Sequence, residues 1–175
     1  MTPIAHTMIG LSGWLTASRR PRAAEMAVFV LAANLPDIDF LLRLLPSLRE
    51  SMPHQYATHN LVFVLASGLL LGRLVRTVRA RWVLLAVAAS HLVLDLLVSD
   101  TVDPIGFPLL LPFSRQLFHI GGFPPLRRGD LTTVLSWSNL AVVLLEILIF
   151  AVPLWAVAGK RLRRLMLNED FRKWR

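Results

Sequence analysis

The chain has 175 residues, of which 55% are hydrophobic and only 17% charged, and its mean hydropathy is +0.57; soluble domains are about a quarter charged. A net charge of +8 raises nucleic acid as a partner, but the Lys and Arg residues lie between and after apolar runs and form no continuous face, so no nucleic acid is expected. There is no cysteine, which excludes disulfides and thiolate ligands and leaves nitrogen and oxygen to hold any metal.

Five apolar segments follow in order: Ile4–Ala17, Ala23–Leu35, Leu61–Val75, Trp82–Val98 and Leu140–Ala158. They are rich in Leu, Ala and Met as well as Val, and they exceed strand length, so each is expected to be a helix. The first contains His6 and has no Lys or Arg before it, unlike a cleavable signal, and it is read as part of the mature fold. A full crossing takes about 20 residues, so only the last two segments qualify on length alone. The expected fold is an all-α integral membrane bundle of about five membrane-embedded helices, some short, over residues 1–159. Residues 160–175 form a basic tail with Leu162, Leu165, Leu167, Phe171 and Trp174, as in an interfacial amphipathic helix.

Arginines orient the bundle. Arg19, Arg20 and Arg22 separate the first two segments, Arg73, Arg76, Arg79 and Arg81 separate the third and fourth, and Lys160, Arg161, Arg163 and Arg164 follow the fifth. If the helices alternate, all three groups fall on one side, and the positive-inside rule makes that side the cytoplasm. The expectation is a multi-pass protein of a bacterial-type inner membrane with the N-terminus outside and the C-terminus in the cytoplasm. The two long connections, Pro36–His59 and Ser99–Trp137, then face outward. The second contains the apolar stretch Ile105–Phe113, broken by Pro108 and Pro112, which suits a re-entrant or interfacial piece. Arg43, Arg49, Arg115, Arg127 and Arg128 lie on the wrong side for the rule.

The same orientation places seven residues on the outer face: His6, Asp37, Asp39, His54, His59, His91 and Asp95. His91 and Asp95 are one helical turn apart on one face, and two ionisable groups within a span are costly unless they have a use. Asp37-x-Asp39 after a proline puts two carboxylates on an irregular turn; its plainer use would be helix capping. Imidazole and carboxylate together suit Zn, Mn, Fe or Ni. Seven ligands exceed the needs of one tetrahedral ion, so two or three divalent ions sharing a carboxylate are expected, with a bridging water as nucleophile. Of the seven, Asp37, Asp39, His59 and Asp95 are the expected catalytic residues. His119, also on the outer side, is placed outside the ligand set. Asp103 is a candidate outer carboxylate or additional ligand, and Arg115, Arg127 and Arg128 are candidates to attract an anionic substrate or to anchor on anionic lipid.

His6, Leu35-Pro36-Asp37-Ile38-Asp39, His54-Gln55-Tyr56-Ala57-Thr58-His59, Ser90-His91-Leu92-Val93-Leu94-Asp95 and Asp103-Pro104-Ile105-Gly106-Phe107-Pro108 together resemble the YdjM-like family of inner-membrane proteins, regarded as membrane-bound metal-dependent hydrolases. The resemblance covers roughly residues 1–113. Where the family often has Arg after the first histidine and Ser after the second, this chain has Gln55 and Asn60, and Phe40 replaces a frequent His. The family is in turn similar to the zinc-dependent phospholipases C and single-strand nucleases, which makes zinc the expected metal, with manganese as an alternative. Those enzymes use an additional His-x-x-x-Glu pair that this chain lacks, which favours two ions over three. The resemblance implies hydrolysis of a phosphoester in a lipid or membrane-proximal substrate. A divalent-metal transporter or sensor without hydrolytic activity is the alternative.

Overall fold

The computed structural model describes residues 1–17, 22–39, 55–99, 105–127 and 131–172. Among these residues the chain is all helical, with two isolated bridges and no strands. Five helices carry the architecture: α1 (Pro3–Ala17), α2 (Ala23–Asn34), α3 (Leu61–Gly72), α4 (Val78–Leu97) and α5 (Trp137–Arg172). A 3-10 turn, Leu35–Asp37, follows α2, and a single helical turn, Leu131–Val134, precedes α5.

The boundaries have local causes. The Asn60 side chain accepts the Phe63 N–H at 2.9 Å and so starts α3. Thr77 does the same for Ala80 at 3.1 Å, so α4 begins ahead of the apolar run and takes Arg79 and Arg81 into its first turn. α2 gives way to the 3-10 turn at Leu35, where Pro36 has no N–H to continue the helical ladder. Inside α1, the hydroxyls of Ser12 and Thr16 bond back to the carbonyls of Met8 and Ser12, each at 2.8 Å, which satisfies them without water.

α1 and α4 form the centre. α1 packs on α2, α4 and α5, while α4 packs on α1, α2 and α3. Close approach depends on small residues, as is usual between membrane helices. A Cβ on Gly10 would stand 2.9 Å from the Phe29 carbonyl oxygen, and one on Gly68 would stand 2.9 Å from the Leu85 side chain. Phe29, Val64, Leu84, Val87, Ala88 and Leu92 fill the core between α1, α2, α3 and α4. α5 rests mainly on α1, leaving Leu144, Leu148, Val152 and Trp155 exposed.

Among the described residues, two helices are long and apolar enough to cross a membrane: α4, and α5 over Trp137–Arg163. The five expected helices are present, and the two that reach crossing length are the two whose apolar runs were long enough, fewer than the about five expected to be membrane-embedded. α1 has 15 residues and α2 and α3 have 12 each, or about 22 and 18 Å at 1.5 Å per residue, against a hydrocarbon core of about 30 Å. Residues 160–172 continue α5 without a break and do not start a separate helix.

The arginines at one end of the bundle have structural partners. Arg79 donates to the Thr16 carbonyl at 3.2 Å and Arg161 to the Leu15 carbonyl at 2.8 Å. Both close orphan carbonyls at the C-terminus of α1, where a cation also meets the negative end of the helix dipole.

Candidate metal centre

At the opposite end of the bundle, Asp37 from the 3-10 turn, His59 from the residues before α3, and His91 and Asp95 from α4 turn one ligand atom each to a common point, all within 4.8 Å of one another. His59 and His91 are fully buried and Asp95 nearly so. The His59 and His91 Nε2 atoms lie 3.1 Å apart. Asp95 Oδ2 is 3.2 Å from His59 Nε2 and 3.3 Å from His91 Nε2. Asp37 Oδ1 is 3.5 Å from His59 Nε2 and 3.6 Å from His91 Nε2. Four ligands about 2.0–2.2 Å from a tetrahedral ion stand about 3.3–3.6 Å from each other. These five separations are close to those between ligands of one small ion, and the donor set of two imidazoles and two carboxylates fits a divalent ion.

The surroundings orient these ligands. His91 Nδ1 lies 2.7 Å from the Ala33 carbonyl; a carbonyl only accepts, so Nδ1 carries a proton and Nε2 is the nitrogen left to face the cluster. That carbonyl is one of the orphans at the end of α2, so the same contact caps a helix and sets a tautomer. His59 Nδ1 pairs with the Thr58 hydroxyl at 3.2 Å, which leaves its Nε2 facing the cluster. Phe107 stands edge-on to His59 with ring centroids 5.6 Å apart and is itself buried, keeping water off that side.

Asp95 divides its oxygens. Oδ2 faces the cluster and accepts from Gln55 Nε2 at 3.4 Å. Oδ1 faces the Met1 amino group and His6 Nε2, the latter at 3.3 Å. The His6 ring stacks on His91 at 3.8 Å. His6 Nε2 is fully buried and makes no hydrogen bond despite its nearness to Asp95.

Of the residues expected from sequence, the structure brings four into one set and places His6 beside it. Asp39 is buried but outside the four; its Oδ2 accepts the Gln55 N–H at 2.7 Å. Gln55 takes a positive φ of 71° to make this contact, a conformation that costs a non-glycine residue free energy. Arg115, Arg127 and His119 are exposed and outside the cluster. His54, Asp103 and Arg128 lie outside the described residues.

Gln55, Thr2 and Glu146 have roles that residue type alone did not suggest. Glu146 is 1% exposed; its Oε1 and Oε2 each lie 3.1 Å from the Thr2 backbone N, and Oε2 also accepts the Thr2 hydroxyl. The available signal was a lone carboxylate inside the apolar run Leu140–Ala158.

Burial raises the Asp37 carboxyl, but hydrogen bonds with His59 and His91 outweigh it and hold the group well below the usual carboxylate range. Burial lowers the His59 imidazole, but its bonds to Asp37 and Asp95 outweigh that and raise it above the ordinary histidine value. A metal must therefore displace a proton that the two carboxylates help His59 to hold. Apparent zinc affinity is expected to rise with pH as the cluster gives up its protons. Competition with a chromophoric chelator between about pH 5.5 and 8.5 measures this, and a flat profile would contradict it.

No curated protein and no solved structure matches the chain with significance. The model of the YdjM inner membrane protein family matches residues 1–164, and the chain belongs to that family.

Proposed function

We propose that the protein is a membrane-bound metal-dependent hydrolase that cleaves a phosphoester of a lipid or membrane-proximal substrate. The observation that carries the reading is the convergence of one ligand atom each from Asp37, His59, His91 and Asp95, three of them buried, at one end of the bundle. Zinc is the metal best suited to four N and O ligands at these separations, with manganese second. Two ions are favoured: Asp95 Oδ2 serves the four-residue set, while Oδ1 and the unbonded Nε2 of buried His6 supply donors for a neighbour. Divalent ions held there would supply Lewis-acid polarisation of a phosphoryl oxygen and acidification of water. The chain itself fixes the His91 tautomer through Ala33, holds Asp95 through Gln55 and excludes water with Phe107.

The orientation proposed is N-terminus outside, C-terminus in the cytoplasm. Exposed Trp137 and Trp155 lie about 27 Å apart along α5, close to the thickness of a hydrocarbon core, as expected of interfacial aromatic residues. Asp95 lies near the outer end of α4, less than about 5 Å along the helix below Leu97, so a lipid phosphate can reach it while the acyl chains stay in the bilayer. Metal transport is disfavoured because the apolar core of Phe29, Val64, Leu84 and Val87 lies between the cluster and the arginine end.

Reconstituted, zinc-loaded protein is expected to release phosphate or a headgroup from at least one of phosphatidate, a prenyl diphosphate or a phosphodiester lipid. Asp95→Asn should abolish that turnover. Full metal occupancy with no turnover of any of the three would overturn the hydrolase, and metal uptake into liposomes without turnover would put a transporter in its place.

A further inference from the structure

Residues 105–123 fold back as an irregular hairpin over the metal-centre end of the bundle. Phe107 and Phe118 exchange backbone hydrogen bonds at 3.2 and 3.0 Å, and the Leu109 carbonyl accepts the Leu61 N–H at 2.9 Å. The far strand is stitched to the last turn of α4: Ile120 and Gly121 donate to the Leu96 carbonyl, each at 3.0 Å, and Phe123 to Leu97 at 2.8 Å. These bonds satisfy the carbonyls that α4 leaves open at its C-terminus, and they fix the height of the hairpin. With 20 residues, α4 is about 30 Å long, the thickness of the hydrocarbon core. Whatever is attached to its final turn therefore lies at the boundary between acyl chains and headgroups.

The hairpin has two unlike faces. Its inner face is the buried Phe107 and Pro108, with Phe107 against His59. Its outer face exposes Phe113 at 86%, Ile120 at 68%, and Leu110 and Leu117 to a lesser degree, with Arg115 exposed between them. No protein segment among the described residues covers these side chains. Val93 and Leu97, in the last turns of α4 to which the hairpin is bonded, are exposed as well. Apolar residues with an arginine among them at this height are the composition of an interfacial anchor, the cation meeting lipid phosphate and the rings and branched chains lying below it.

We propose that the 105–123 hairpin is a lipid-inserted flap: Leu110, Phe113, Leu117 and Ile120 dip into the outer leaflet while Phe107 on its back wall closes the metal centre. The inference rests on α4 crossing the bilayer and not on the chemistry at the centre.

The chain contains no cysteine, so single nitroxide labels can be placed on Phe113→Cys and Leu117→Cys, with Arg76→Cys on the α3–α4 connection as the aqueous reference. The full chain is reconstituted in vesicles of phosphatidylethanolamine and phosphatidylglycerol, and collision with oxygen and with a water-soluble nickel chelate is measured by power saturation. The oxygen-to-nickel ratio at Phe113 and Leu117 is expected to exceed that at Arg76 by at least about threefold, as for residues below the headgroups. A ratio equal to that at Arg76 would mean the face is in water and would overturn the proposal. Low collision with both reagents would mean that a protein surface covers the face, and would overturn it equally. The labels report neither metal nor turnover, so failure here is distinguishable from failure of the hydrolase. A matching gel-filtration profile and helical circular dichroism establish that each variant is folded.

Discussion

His91→Ala protein, purified after metal-replete expression, is expected to lose its divalent metal almost completely, whereas the unmutated protein retains it through gel filtration. His91 supplies one of the four ligands, and its Nε2 is within 3.6 Å of three of the other ligand atoms. Disturbing an outer-shell partner alone typically costs 10–100-fold in affinity, so removing a ligand should cost more than about a hundredfold. Elemental analysis of the two proteins provides the measurement. Asp37→Asn, which keeps the side chain's size but removes its charge, should also lose metal. His119→Ala should not, because His119 is exposed and outside the cluster. His6→Ala separates one ion from two: it should halve a two-ion stoichiometry while the four-residue set stays loaded. Equal metal in the unmutated and His91→Ala proteins would refute the centre.

A second large effect is expected at Glu146. The carboxylate sits on α5, whose surface is mostly exposed, yet it is itself buried against the start of α1 and accepts both the backbone N–H and the hydroxyl of Thr2. It thereby satisfies a donor at the N-terminus of α1 that the helix cannot, and it places a negative charge at the positive end of the helix dipole. Glu146→Ala leaves these donors without a partner in an apolar setting and should destabilise the protein by about 2–4 kcal/mol. Glu146→Gln keeps an acceptor and should cost about half as much. Thermal unfolding in detergent, followed by circular dichroism, compares the two. Because His6 lies one turn beyond Thr2, Glu146→Ala should also weaken the His6-dependent ion before the four-residue set. Wild-type melting of Glu146→Ala would mean that the contact contributes nothing.

The helices were largely legible in the sequence. Ile4–Ala17 against Pro3–Ala17, and Ala23–Leu35 against Ala23–Asn34, agree within a residue, because apolar composition and a flanking proline or cap act locally. The start of α4 was placed too late because Thr77 caps the helix upstream of the apolar run. Of the about five helices expected to be membrane-embedded, two reach a full crossing length, the same two whose apolar runs were long enough; α2 and α3 are too short to cross unaided. The pairing of His91 with Asp95 followed directly from helical spacing. The choice between Asp37 and Asp39 did not, since both carboxylates leave the same irregular turn, and Asp39 accepts the Gln55 N–H outside the cluster.

By itself, then, the sequence determined five helices, a membrane-compatible composition, an arginine-rich end and an opposite end rich in histidine and aspartate. Those properties depend on periodicity, charge and spacing along one chain. Only the tertiary structure decided that Asp37 and His59 meet the α4 pair at ligand distances, that the two oxygens of Asp95 face different partners, and that Glu146 anchors α1. Each of these joins residues from separate elements. Helix packing brings them together, and no local rule specifies which side chains then face one another across the contact.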